Sequence, residues 1–320
     1  MAVGTEKIPI GVSSCLLGQE VRFDGGHKRD AFLTGTLTAY VEFVPVCPEL
    51  EAGMGVPREP VRLVGPPDAP RMVGTRSQTD FTSLMTGFSR KRTAELEVHD
   101  LCGYILKKNS PSCGMERVKI YAEGGGVPSK QGVGLFAQEL MRRFPLLPVE
   151  EEGRLTDPRL RENFVERVFA YRAWKEFLSE RYSRGALVAF HTRHKFLILS
   201  HSPAGYTELG RIVAQAKQLG AKETKEQYGT GFMQAMAERT TTRKHTNVLQ
   251  HLAGHFKKSL DTESRNELHE SIQHYRRGLV PLVVPVTLLK SAARRANATY
   301  VADQLYLNPH PVELMLRNHV

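Results

Sequence analysis

In the first half of the chain, short apolar runs alternate with stretches of helical spacing. "KIPIGVSS" predicts a strand, followed by a glycine- and charge-rich loop to about residue 29, and "DAFLTGTLTAY" predicts a helix. "VEFVPVCPE" is a β-branched run broken by prolines. Residues 61–80 read as loop, and residues 81–100 carry helical spacing. "GYILKKNS" and "RVKIYAE" predict strands, "AEGGGVPSKQGVG" turns, "GVGLFAQELMRRF" an amphipathic helix and "PLLPVEE" a last strand. Strands alternating with helices predict a mainly parallel sheet covered on both faces. In such sheets, ligands sit at the carboxyl ends of the strands.

From about residue 157 the period is helical throughout. Asp157 and Pro158 form a start signal, as do Ser202 and Pro203. Helices are expected from residue 157, over 185–200, 203–219, 222–240, 243–260 and 262–277, then around 283–296 and 311–318. The predicted fold class is an α/β domain over residues 1–152 followed by an all-α domain over 153–320. The boundary lies in "PVEEEGRLTDP".

With 41% hydrophobic and 24% charged residues, the composition is globular. No apolar run is long enough to span a membrane. The start lacks a basic segment followed by a long apolar core, so no secretory leader is expected. Four cysteines in 320 residues are too few for a disulfide framework, and a reducing cytoplasm is expected. Charge separates along the chain. Residues 1–150 carry 18 Lys+Arg and 17 Asp+Glu, a net of +1, and residues 151–320 carry 26 and 17, a net of +9. All four cysteines lie in the first part. The segregation predicts that one domain does chemistry while the other meets a polyanion; the bland alternative is a basic helical domain with solvated charges.

Three cysteines fall where predicted strands end: Cys15 in "IGVSSCLLG", Cys47 in "FVPVCPEL" and Cys113 in "NSPSCG". Strand ends of one parallel sheet converge on one edge, so these thiols can meet. Their spacing excludes a local zinc ribbon and the tight ferredoxin pattern. Three thiolates without a fourth ligand suit either an iron–sulfur cluster with one open iron or a zinc with one open position. Cys102 of "HDLCGYIL" enters a strand and reads as structural.

The stretches "GVSSCLLGQEVRFDGGHK", "PVCPELEAGMGVPREP" and "LKKNSPSCG" together resemble the TudS-type thiouracil desulfurases. Residues 157–320 resemble, more loosely, the YbgA-like helical domain found fused to them. The resemblance implies a Rossmann-like domain holding a 4Fe–4S cluster by Cys15, Cys47 and Cys113, with Glu49 and Ser110 as catalytic residues. It further implies that fused two-domain members remove sulfur from 4-thiouridine in tRNA without net redox. The rival readings are a desulfurase of free thiouracil with a structural helical domain, and a non-catalytic iron–sulfur protein that binds RNA or senses redox state. The chemistry is consistent: a thiocarbonyl sulfur is soft and suits an open iron, and a carboxylate two residues from a ligand can act as base.

Further substrate contacts are expected from Ser14, Arg22, Asp24, His27, Lys28, Arg76 and Asp80. Asp24-Gly25 is equally a tight-turn signal, and Arg58 of "PREP" reads as a surface arginine, with a phosphate or base contact as the alternative. "HTRHK" and "TTRKHTN" supply expected polyanion contacts: His191, Arg193, His194, Lys195, Arg243, Lys244 and His245. His251 and His255 read as solvated or phosphate-facing rather than metal ligands.

Overall fold

Ile8–Ser13 forms strand β1, and every residue in it but Pro9 is buried, as befits an inner strand of a sheet covered on both faces. It belongs to a computed structural model that describes residues 7–319; the leader expectation falls partly outside these residues. The strands that follow are β2 (Val41–Val46), β3 (Val61–Val64) and β4 (Arg71–Gly74), then helix α1 (Thr82–Glu95). Next come β5 (Gly103–Leu106), β6 (Val118–Tyr121), β7 (Ser129–Gly132), α2 (Leu135–Arg143) and β8 (Val149–Glu151).

Two four-stranded sheets result. The first, in order β2-β1-β5-β8, is parallel throughout, with Ile8 opposite Val41, Ile10 opposite Gly103 and Tyr104 opposite Val149. The α/β expectation holds there. The second, in order β4-β3-β6-β7, pairs β3 and β6 in parallel and adds two antiparallel edge strands. Its buried Leu63, Val118 and Ile120 pack with Met72, Met85 and Leu135.

The second sheet corrects the reading of residues 61–80 as loop. Each strand there is four residues long, too short to show a period between glycines and prolines. Strand β7, "SKQG", has no apolar residue at all and is held by pairing with β6. The helix expected in "DAFLTGTLTAY" is two short irregular turns, 32–36 and 37–39, since threonine and glycine are poor helix formers.

The chain divides between Thr156 and Asp157 into two compact units. The second is helical: α3 (Pro158–Ser179), α4 (Arg184–His201), α5 (Pro203–Leu219), α6 (Ala221–Ala237), α7 (Thr242–Gly254), α8 (Thr262–Arg276), α9 (Val283–Arg295) and α10 (Thr299–Ala302). The start signals act as expected. The Asp157 carboxylate accepts from the backbone N–H of Arg159 at 2.8 Å and of Leu160 at 3.2 Å, and Ser202 Oγ accepts from Gly205 N–H at 3.0 Å. The helix expected over 311–318 is only a turn at 312–314. Among the described residues, no helix is long and apolar enough to cross a membrane.

Candidate functional site

In the first sheet, β2, β1 and β5 are parallel neighbours, so their carboxyl ends share one edge. Cys15 follows β1 in a tight turn closed by Gly18, whose φ of 94° suits glycine. Cys47 follows β2 directly. Cys113 lies in the turn after β5. All three line one cavity of about 790 Å³. Cys102 sits at the other, amino end of β5, its N–H donating to Pro9 O at 2.8 Å, and is not among the lining residues.

The loop carrying Cys113 is fixed from two sides. The first N–H groups of α2 have no partner within their helix. Those of Leu135 and Phe136 donate to the carbonyls of Pro111 and Ser112, both at 3.0 Å. Gly134 permits this approach: a Cβ there would lie 2.4 Å from Ser112 O. From β8 and just beyond it, Glu151 accepts from Met115 N–H and Glu152 from Lys108 N–H, both at 2.8 Å, while Lys107 and Glu152 form an ion pair at 2.5 Å. Burial raises the Glu151 carboxyl above its usual range. "PVEEE" thus positions the site, a role its sequence did not announce.

Burial pushes the Cys15 thiol up to about 11 and raises Cys47 and Cys113 as well. Each thiol is therefore neutral until something that binds thiolate displaces its proton. Among the described residues these three sulfurs are not a set lying within 4.8 Å of one another. A single tetrahedral zinc needs sulfur–sulfur edges of about 3.8 Å, from its ~2.3 Å bonds. The donor set is soft and three-membered, Cys15 and Cys113 are buried and Cys47 half-buried, and at least one sulfur–sulfur distance exceeds the edge a single zinc requires, which fits a multi-iron cluster.

Beside the thiols, Glu49 is bound on both oxygens. Oε2 accepts from Arg58 Nη2 at 2.5 Å and Nε at 3.0 Å; Oε1 accepts from Ser112 Oγ at 2.7 Å. Ser112 Oγ lies 2.9 Å from Ser110 Oγ and 3.7 Å from Cys113 Sγ. Ser110 Oγ in turn accepts from the N–H groups of Ser112 at 3.3 Å and Cys113 at 3.2 Å. Arg58 is not a surface arginine: its side chain is 6% exposed and also donates to Val21 O and Gly55 O. Sequence reasoning missed Ser112 altogether. Its one signal was that "NSPSCG" places a second hydroxyl directly before the cysteine.

Of the other expected contacts, Ser14, Arg22 and Lys28 line the cavity, and Lys28 N–H donates to Cys15 O at 2.9 Å. Asp24, His27, Arg76 and Asp80 are not among the lining residues. Asp24 accepts from Gly26 N–H and His27 Nδ1 from Arg29 N–H, so both make the turn. Arg76 N–H is held by Glu59, and Asp80 accepts from Thr82 N–H at the start of α1 and pairs with Arg71.

In the helical unit, Arg193 and Arg243 are exposed. Lys195 lies over the Tyr300 ring at 5.0 Å. Lys244 pairs with Glu238 at 3.2 Å and donates to the carbonyls of His201 and Arg239, so its ammonium is already engaged. The histidines depart from expectation. His194 and His245 are buried, and burial pushes them down to about 4 and about 3, so neither offers a cation to a phosphate. His191, pushed down to about 4, shares a hydrogen bond with Tyr228 at 3.0 Å. Their helix periods turn these histidines inward, among aromatic rings.

Comparison with known proteins agrees with this division. The family model of 2-thiouracil desulfurase matches residues 10–152, and that of DUF1722, a protein family of unknown function, matches 195–311. The chain is 30% identical over 161 residues to the uncharacterized protein YbgA of Escherichia coli (strain K12), covering 50% of this chain and 95% of that one. It is 36% identical over 108 residues to the uncharacterized protein YbbK of Bacillus subtilis (strain 168), covering 32% of this chain and 71% of that one. A solved structure described as the [4Fe-4S]-dependent thiouracil desulfidase TudS shares 31% identity, over 47% of this chain and 94% of that chain, with a TM-score of 0.38. The chain belongs to the 2-thiouracil desulfurase family, in a form that carries a YbgA-like second domain.

Proposed function

We propose that this chain is an iron–sulfur-dependent desulfidase that converts 4-thiouridine in tRNA to uridine and releases sulfide without net redox. One observation carries the reading: three thiols at strand ends, Cys15 and Cys113 buried and Cys47 half-buried, open into the cavity that also holds a Glu49–Ser112–Ser110 chain of hydrogen bonds. Cys15, Cys47 and Cys113 would hold a 4Fe–4S cluster. When bound, it supplies a soft Lewis acid for the thiocarbonyl sulfur, making the ring carbon open to water.

The chain's own groups handle the protons. C=S and H₂O become C=O and H₂S, so water's protons must leave the carbon side and reach the sulfur. Glu49 accepts a proton through Ser112, whose hydroxyl bridges it to Ser110. Arg58 orients the carboxylate and balances its charge. Ser110, held by two backbone N–H groups, donates its one proton to Ser112 and so links the cavity to Glu49. Lys28 and Arg22 stand on the same wall.

The test is an anaerobic preparation assayed for iron and sulfide, then incubated with 4-thiouridine-containing tRNA. Stoichiometric iron, sulfide release and recovery of uridine are expected. Intact iron with no sulfide from any thiopyrimidine overturns the reading in favour of a non-catalytic protein. Sulfide from free thiouracil alone restricts it to the free base.

A further inference from the structure

The cavity is far larger than a pyrimidine needs: about 790 Å³, within the range that encloses ligands of drug size. Its inner wall carries the thiols and Glu49, and its outer wall is the second sheet. The register of β3 on β6 sets Leu63 opposite Ile120, both in the core. Side chains alternate along strands, so Arg62, Lys119 and Tyr121 turn to the opposite face, where all three line the cavity with Lys130 of β7. The Arg62 guanidinium lies 5.2 Å from the centre of the Tyr121 ring, a stacked cation–aromatic pair on an open sheet face.

The charge of this wall is one-sided. Among the lining cations, Arg58 is neutralised by Glu49, Lys107 by Glu152 and Arg22 by Asp24. Lys28, Arg62, Lys108, Arg117, Lys119 and Lys130 also line it, and among the described residues none of these six is paired with a carboxylate. Glu49, already bound to Arg58, is the one carboxylate in the lining. A neutral thiopyrimidine gives such a wall nothing to bind. A phosphodiester strand does: cations track its backbone and an aromatic ring stacks its bases.

We infer that the open face of the second sheet is a phosphodiester platform that seats the RNA strand flanking the thiolated nucleotide. Arg62, Arg117, Lys119 and Lys130 meet phosphates and Tyr121 stacks a neighbouring base. The inference rests on the desulfidase reading of this cavity for its target nucleotide. It places part of RNA recognition on the unit whose sequence is nearly neutral.

The test uses the full chain with Arg117→Gln, Lys119→Gln and Lys130→Gln combined, all exposed positions. Affinity for 4-thiouridine-containing tRNA is followed by fluorescence anisotropy across a salt series. The slope of log affinity on log salt should fall by about 2, at ~0.7 per phosphate contact on a single strand. The ratio of kcat/KM for tRNA to that for 4-thiouridine nucleoside should fall roughly tenfold or more, and Lys119→Arg with Lys130→Arg should largely preserve both. An unchanged slope and ratio overturn the platform. An equal loss with 4-thiouridine monophosphate overturns the strand in favour of a mononucleotide phosphate pocket. Because anisotropy needs no turnover, a lowered slope in a chain that releases no sulfide would keep the platform and discard the desulfidase reading.

Discussion

Replacing Ser112 by alanine removes one hydroxyl from the centre of the site and leaves the backbone intact. Glu49 Oε1 loses its donor at 2.7 Å, and Ser110 Oγ loses its neighbour at 2.9 Å. The N–H groups of residue 112 and Cys113 still hold Ser110, and the carbonyl of residue 112 still accepts from the first turn of α2. The cysteine loop should therefore stay in place and iron should still bind. What disappears is the bridge between the carboxylate and the cavity. A hydrogen bond to a charged group is worth about 1.5–3 kcal/mol. If the bridge is used only in the reaction, that becomes a fall in kcat of roughly 10- to 150-fold, at ~1.4 kcal/mol per decade. The assay is sulfide release per cluster, with iron measured on the same sample and the parent alongside. Ser112→Ala with parent-like kcat and full iron would refute the relay and leave Glu49 acting directly. Loss of iron in proportion to activity would make Ser112 a support for Cys113 instead.

Glu49→Gln should retain iron and lose two to four decades of turnover, the usual scale for a positioned base; near-parent turnover would send the search to another group. Cys15→Ala, Cys47→Ala and Cys113→Ala should each abolish iron binding, whereas Cys102→Ala, at the opposite end of β5, should keep it; iron analysis of the four variants decides. The helical unit should be acid-sensitive through His245. Burial pushes it down to about 3, so above its ordinary value of 6.5 both states are neutral, and below it only the unfolded chain takes the proton. Stability is thus lost as pH falls from 6.5 toward 3, by about 2 kcal/mol at pH 5. Denaturation followed at Trp174, the chain's one tryptophan, should show a smaller loss between pH 7 and pH 5 for His245→Gln; an equal loss would refute the assignment.

The sequence announced what local signals can carry. Asp157-Pro158 and Ser202-Pro203 begin helices because cap chemistry acts over three residues. The alternation of strands and helices predicted the parallel sheet, whose carboxyl edge brings Cys15, Cys47 and Cys113 to one cavity. What stayed hidden depends on neighbours distant in sequence. Strand β7 exists through its pairing with β6, not through any pattern in "SKQG". Arg58 looked like a surface residue because nothing near it in sequence shows that Glu49 lies against it. Glu151 and Glu152 looked like a charged boundary and instead hold the Cys113 loop.

The charge count shows the same limit in a sharper form. A net of +9 against +1 directs attention to the helical unit, yet there Lys244 is held by Glu238 and two carbonyls, and His194 and His245 are buried and neutral. The nearly neutral first unit keeps its acids elsewhere: Glu95 and Glu97, for example, pair with Arg92 and Arg143. Six cations with no carboxylate partner among the described residues line one of its cavities. Coulomb attraction is screened within about 10 Å at ordinary ionic strength. An incoming phosphate therefore responds to the side chains around it and not to the sum over a domain. On the proposed reading, the recognition that sets a thiolated nucleotide beside Glu49 comes from groups lining its cavity: Lys28 and Lys108 on loops, and Arg62, Lys119 and Lys130 on the second sheet.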